Sequence, residues 1–267
     1  MKKYDVTVIM PGIHPEKWDK IYDDIVGSVG EYSFEFIGAG PYAPKAESIL
    51  HKKENFLFLE DFGHPSRCLQ HATTVANGTF MTWGSEDGVF QPDALKNCID
   101  FMKTCDRKDG MTIRYFEQDV DPNAPIPPQE LLWTAWYHRD LRLPGIPSSY
   151  KIANIAMYYL DFFREIGGLD CRFEHVNMNC NDLAFRIQAN GGTIHPSPDI
   201  VIRQTNEPST NPAQSPVEEA YHKNDYPLFQ AIYSDPYGAT ERIYLDYNNW
   251  KLTDEVWQRR FGSRNDG

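Results

Sequence analysis

The chain has 267 residues, 41% hydrophobic and 24% charged, enough apolar material for one large core and too much for wholesale disorder. Its 26 Lys+Arg against 38 Asp+Glu leave a net charge of −12, which argues against a nucleic-acid groove or an anionic membrane surface as the main partner. Five cysteines, an odd number without CxxC or Cys/His zinc spacing, are expected as free thiols in a reducing compartment. The start of the sequence runs directly into a strand-like segment, and no apolar run approaches the ~20 residues of a membrane helix. The expectation is a cytoplasmic protein with no integral membrane segment.

In chain order, Asp5 to Met10 is a compact β-rich run closed by Pro11-Gly12 and is expected as a buried strand. Residues 15–29 place Trp18, Ile21, Tyr22 and Ile25 at helical spacing behind Pro15. Phe34 to Ile37 predicts a second strand ending at Gly38-Ala-Gly-Pro41, and Asn55 to Leu59 a third ending at Glu60-Asp61. Pro65 to Asn77 predicts a helix stopped by Gly78, Thr79 to Trp83 a fourth strand, and Pro92 to Cys105 another helix. Such alternation indicates an open, mostly parallel α/β sheet flanked by helices, whose ligands bind beyond the carboxyl ends of the strands. Pro11-Gly12, Gly38 to Gly40, Asp61 and Ser85 to Asp87 all fall at those ends.

Beyond this point residues 118–149 and 205–217 are proline-rich and expected as surface excursions bordering the acceptor side. Ala153 to Phe163 predicts a buried strand running into a short helix. Asp182 to Asn190 predicts a helix with Asp182 as its N-cap, stopped by Gly191-Gly192, and Ile200 to Arg203 a short strand. The Walker, GxGxxG, GxSxG and HExxH signatures are absent.

Two stretches carry the chemistry. Ser85-Glu86-Asp87-Gly88, followed by Pro92-Asp93-Ala94-Leu95, closes the fourth strand. Glu165-Ile-Gly-Gly-Leu-Asp170, then Cys171-Arg172-Phe173-Glu174, precedes Asp182-Leu-Ala-Phe-Arg186. In this order and spacing, residues 4 to about 203 resemble the family 2 glycosyltransferases, which have the GT-A fold. The resemblance implies a nucleotide-sugar transferase acting on a hydroxyl acceptor with inversion at the anomeric carbon, assisted by Mn²⁺ or Mg²⁺. It implies Asp87 as metal ligand, with His222 as a further metal contact from the C-terminal part. It implies a donor pocket built by Pro11, Gly12, Gly38, Arg67, Gln70 and Glu86. The general base it implies is Asp182, or Glu174 earlier in the same connection.

The chain departs from the family pattern in three places. Ser85 replaces the first Asp of the DxD turn, Gly38 lies where an acid usually meets the base, and Cys180-Asn181 replaces the usual acidic pair. The rival reading is therefore a GT-A-like carbohydrate- or nucleotide-binding protein with impaired catalysis. A nucleotidyltransferase would need an early Gly-rich, Arg/Lys-bearing loop, which is not found. The domain organisation expected is a GT-A-like domain over 1–203, with a C-terminal extension over 204–267 packed on it.

Overall fold

A computed structural model describes residues 3–118, 138–139, 150–151, 153, 155–205, 215–234 and 242–252. The first strand, β1 (Tyr4–Pro11), is the apolar run at the start of the chain, and its Val6, Val8, Ile9 and Met10 are fully buried. It is flanked in parallel by β2 (Phe34–Gly40) and β4 (Gly78–Trp83), with β3 (Phe56–Glu60) outside β2. The helices α1 (Trp18–Val29), α2 (Pro65–Val75) and α3 (Ala94–Met102) alternate with these strands. A 3-10 turn, Pro15–Lys17, leads into α1 and uses Pro15 at a position where a missing N–H costs nothing. The expected first half of the chain is present with boundaries shifted by a few residues.

The second half of the sheet is longer than its sequence suggests. The strands β5 (Gly88–Phe90), β6 (Gly110–Gln118), β9 (Ala156–Tyr159) and β10 (Ile194–Thr205) complete eight strands in the order β3-β2-β1-β4-β9-β6-β10-β5. Here β9 runs antiparallel to β4 and β6, and β5 antiparallel to β10. The others are parallel, so the carboxyl ends of β1–β4, β6 and β10 share one pole. A separate two-stranded pair joins β7 (His138–Arg139) and β8 (Tyr150–Lys151). The rest of the proline-rich 118–149 and much of 205–217 lie outside the described residues.

One helix differs from expectation. After α4 (Leu160–Glu165), helix α5 spans Val176–Ala189, starting six residues before Asp182. Its N-cap is His175, whose Nδ1 accepts the Asn177 amide. Asp182 therefore sits in mid-helix, not at the cap. The reason is that α5 is buried nearly all round, including Asn179, Asn181, Asp182 and Arg186, so no apolar stripe marks its first two turns.

Helices α6 (Ser215–Ala220) and α7 (Tyr226–Ser234), joined by a π-helical turn at Tyr221–Asp225, build a second cluster on α5 in which Phe173, Phe185, Phe229 and Tyr233 pack together. Residues 242–252 cross α2 and the Gly167-Gly168 turn: Leu245 N–H donates to the Ile166 carbonyl and Asn249 Nδ2 to that of Leu169. No helix among the described residues is long and apolar enough to cross a membrane.

Candidate active site

The pair of acids that closes β4 is absorbed by the loop that closes β1. Glu86 is mostly buried; its carboxylate accepts the backbone N–H of Ile13 (2.9 Å) and His14 (2.8 Å) and the indole N–H of Trp18 (2.8 Å). Burial pushes its pKa above the ordinary carboxylate range despite those three donors. The loop fits only because residue 12 is glycine: a Cβ there would lie 2.0 Å from the Glu86 carboxylate. Asp87, next in the chain, pairs with Lys17 Nζ at 2.6 Å, and both are about one-third exposed. A small cavity of about 60 Å³ opens here, lined by Pro11, Gly12, Ile13, Pro41, Pro65 and Glu86, with Cys68 at its side.

At the end of β3 a second buried carboxylate organises α2. Asp61 accepts the Gly63 amide (2.7 Å), Arg67 Nε (3.0 Å) and His71 Nδ1–H (2.7 Å). Burial raises its pKa, but His71 and Arg67 outweigh burial and hold it below the ordinary value. His71 stacks on Trp250 with ring centroids 3.8 Å apart, and the Arg67 guanidinium lies over the same indole. His64 caps α2 by accepting the Arg67 amide on Nδ1, which leaves Nε2–H to donate to the Cys171 carbonyl.

The third cluster is a buried ion network beneath the Gly167-Gly168 turn. Both glycines have positive φ, and Arg186 reaches up from α5 to donate to the carbonyls of Ile166 (2.9 Å) and Gly168. Asp182, fully buried, accepts Arg186 Nε (2.9 Å), Arg242 Nη2 (2.9 Å) and the Tyr233 hydroxyl. Arg242 also pairs with Asp170, which Arg172 bridges bidentately. Burial would raise Asp170, yet Arg172 and Arg242 lower its pKa to about 2. Glu174, 8% exposed, is held through its backbone: its N–H donates to Asp225.

The expected site residues thus fall into separate groups. Pro11, Gly12 and Glu86 meet at the cavity, and Asp87, next to Glu86 in the chain, pairs with Lys17. Arg67 sits at the neighbouring β3–α2 corner. Gly38 lies under the Trp18 ring, where a Cβ would approach it to 2.2 Å, so it serves packing of α1 on β2. Gln70 is fully buried and clamps the glycine turn, accepting the Leu169 amide and donating to the Gly167 and Tyr247 carbonyls. His222 is on the exposed side of the π-helical turn against Tyr221. Among the described residues no three-ligand metal group includes Asp87 or His222. Sequence reasoning takes Trp18 only as a helix-face residue and passes over Lys17, His71, Trp250 and Arg242. For Trp18 and Lys17 a signal existed, since both sit in the first turn after a strand end.

Asp87 presents a hard oxygen donor, of the kind Mg²⁺ and Mn²⁺ take, at a partly exposed position where it pairs with Lys17. Glu86 has no such freedom, since both its oxygens already receive N–H groups.

No family model matches this chain, and no curated protein matches it in sequence. Solved structures do match in fold. A mannosyltransferase from Pyrobaculum calidifontis, solved with GDP-Man and Mn²⁺, superposes with a TM-score of 0.56 at 12% identity, covering 97% of this chain and 73% of that one. Residues 1–349 of TarS from S. aureus give 0.54 at 14% identity over 93% of this chain and 72% of that one. The same fragment solved with UDP gives 0.52 at 16% over 76% and 61%. A longer TarS chain is matched over 45% of its length. At these identities the likeness defines the class of fold: a GT-A-like α/β sheet with its candidate site at the carboxyl ends of the strands.

Proposed function

We propose that this chain moves a sugar from a nucleoside-diphosphate sugar to an acceptor hydroxyl. The observation that carries the reading is the convergence of the β1, β3 and β4 ends on one pole, in a fold shared with proteins solved with UDP and with GDP-Man and Mn²⁺. The donor would lie across the Pro11-Gly12 loop, where the chain approaches closely because Gly12 has no side chain. Lys17, beside Asp87, and Arg67, at the neighbouring β3–α2 corner, are the cations that would meet the diphosphate in this reading. A Mn²⁺ or Mg²⁺ held by Asp87 would supply charge neutralisation for the leaving diphosphate.

In the step proposed, the acceptor oxygen forms a bond to the anomeric carbon as the bond from that carbon to the phosphate oxygen breaks. The electron pair of the broken bond leaves with the nucleoside diphosphate, and the configuration inverts. The acceptor proton passes to a carboxylate. Of the two expected, Glu174 is the one proposed as base. Asp182 already accepts from two arginines and a tyrosine, which supports a positioning role under the Gly167-Gly168 turn.

A specific observation also favours the binding-only rival: Glu86, Asp87 and Asp182 are each engaged by protein groups. Thermal shift against UDP, GDP, UDP-glucose and GDP-mannose, with Mn²⁺ or with chelator, separates the readings when joined to an assay of nucleoside-diphosphate release. Stabilisation plus slow release to water supports transfer; stabilisation without release supports binding alone. No stabilisation by any of the four, with or without Mn²⁺, overturns both.

A further inference from the structure

A three-ligand cluster lies at the opposite pole, where the parallel strands begin. Cys105 follows α3, Asp109 precedes β6, and His195 is the second residue of β10. Their sulfur, oxygen and nitrogen atoms all lie within 4.8 Å of one another. His195 Nε2 and Asp109 Oδ2 are 3.1 Å apart. The β6–β10 ladder fixes this meeting, since Ile194 pairs with Gly110 and His195 with Met111. Asp109 is itself pre-set: its carboxylate accepts the amides of Thr193 (2.8 Å) and Asp106 (3.1 Å). The His195 ring packs edge-on against Phe101, which restricts its rotation.

We infer that Cys105, Asp109 and His195 form a binding site for a thiophilic divalent transition metal of the Zn²⁺ class, apart from the transfer pole. Zinc bonds of 2.0–2.3 Å separate tetrahedral ligand atoms by about 3.3–3.8 Å; His195 and Asp109 stand 3.1 Å apart, and the Cys105 sulfur lies within 4.8 Å of both. A thiolate with an imidazole selects zinc over the hard cations Mg²⁺ and Mn²⁺. Three protein ligands leave a fourth position for water. The cation would take the place of the proton now shared by His195 and Asp109, and of the thiol proton that Cys105 directs to the Phe101 carbonyl.

The surrounding charges suit this. Asp106 adds negative potential around Tyr159, beside the cluster. The basic residues of the same loop are turned to other partners: Lys103 to the Tyr32 ring, Arg107 to Glu165 and Asp161, and Lys108 to the Asn190 carbonyl. The remaining cysteines (Cys68, Cys98, Cys171 and Cys180) are all buried, whereas Cys105 is half-buried. The alternative is a plain Asp–His ion pair with a thiol closing a helix end.

Cobalt(II) titration of the full-length protein under a phosphine reductant distinguishes the two. The expected result is one equivalent bound, with a thiolate-to-cobalt charge-transfer band that added Zn²⁺ bleaches. Cys105→Ser keeps a hydroxyl for the Phe101 carbonyl, so the fold should survive while the band disappears. Asp109→Asn and His195→Ala should each weaken affinity at least about tenfold, the scale on which even a supporting contact acts. Absence of a charge-transfer band in the parent protein overturns the assignment. So does a band that persists in Cys105→Ser, or an affinity unchanged in both other variants.

Discussion

Asp182 and Glu174 are both buried carboxylates, and Asp182 is the one locked between two arginines and a tyrosine. Asp182 is fully enclosed and holds Arg186 and Arg242 in place. Changing it to Asn leaves two buried guanidinium groups short of a counter-charge. Breaking a buried pair in this way costs about 3–5 kcal/mol. Asp182→Asn should therefore lower the urea midpoint sharply and lose activity only in proportion to unfolding. Glu174→Gln conserves the side-chain shape and should lower the midpoint by less than Asp182→Asn does. Under the proposed chemistry it should cut turnover by roughly 10²-fold or more with donor affinity unchanged. A folded, fully active Glu174→Gln would remove Glu174 from the reaction. The Asp182–Arg186 partnership is legible in sequence, because an acid and an arginine four apart on a helix face one another. Arg242 is not, being 60 residues from Asp182 across segments with no fixed register.

At the scale of elements, the glycine turn between α4 and α5 is held by side chains from three directions. Gln70 of α2 fills the space above Gly168, where a Cβ would come within 2.2 Å of its amide oxygen. It satisfies the Leu169 amide and the Gly167 and Tyr247 carbonyls at once. Gln70→Ala leaves those buried groups without partners, and each costs roughly 1–3 kcal/mol unless water replaces the amide. The expected loss of stability is roughly 2–4 kcal/mol in urea denaturation, with helix content by circular dichroism unchanged in the native baseline. A loss below about 0.5 kcal/mol would show that the turn holds without the clamp. The elements of the first half are legible because Pro and Gly punctuate apolar runs of the right period. Strand β6 is not among the expected elements, although Met111, Ile113 and Tyr115 alternate with Thr112 and Arg114. The short β5 and the start of α5 carry no such pattern: three residues define no period, and a helix buried through its polar residues shows no stripe.

For the whole molecule, the C-terminal crossing is joined to the rest of the fold through charge. Arg242 stands between Asp170 and Asp182, so one cation ties the 242–252 segment to the loop before α5 and to α5 itself. The pH dependence of folding reports on this tie. Asp170 has a folded pKa of about 2, held down by Arg172 and Arg242 against burial, below the roughly 3.9 of an unfolded aspartate. A depressed acid binds more protons when unfolded, so its stabilisation is complete above about pH 4 and is lost as pH falls toward 2. Asp61, also depressed, acts in the same sense. Glu86 and Asp225, both raised by burial, act in the opposite sense, losing their contribution as pH rises past the unfolded value. Arg242→Ala removes the cation shared by Asp170 and Asp182 and so tests the tie as a whole. With Arg242 gone, Asp170 keeps only the half-exposed Arg172, and its pKa should climb toward or above the unfolded value. The variant should be less stable than the parent at pH 7, and the gap should narrow steadily between about pH 4 and pH 2 as the carboxylates protonate in both. Urea midpoints of the two proteins across that range measure the gap directly. A gap that stays constant with pH would mean that Arg242 contributes packing alone, and that the C-terminal crossing is held by Gln70, Asn249 and the His71–Trp250 stack.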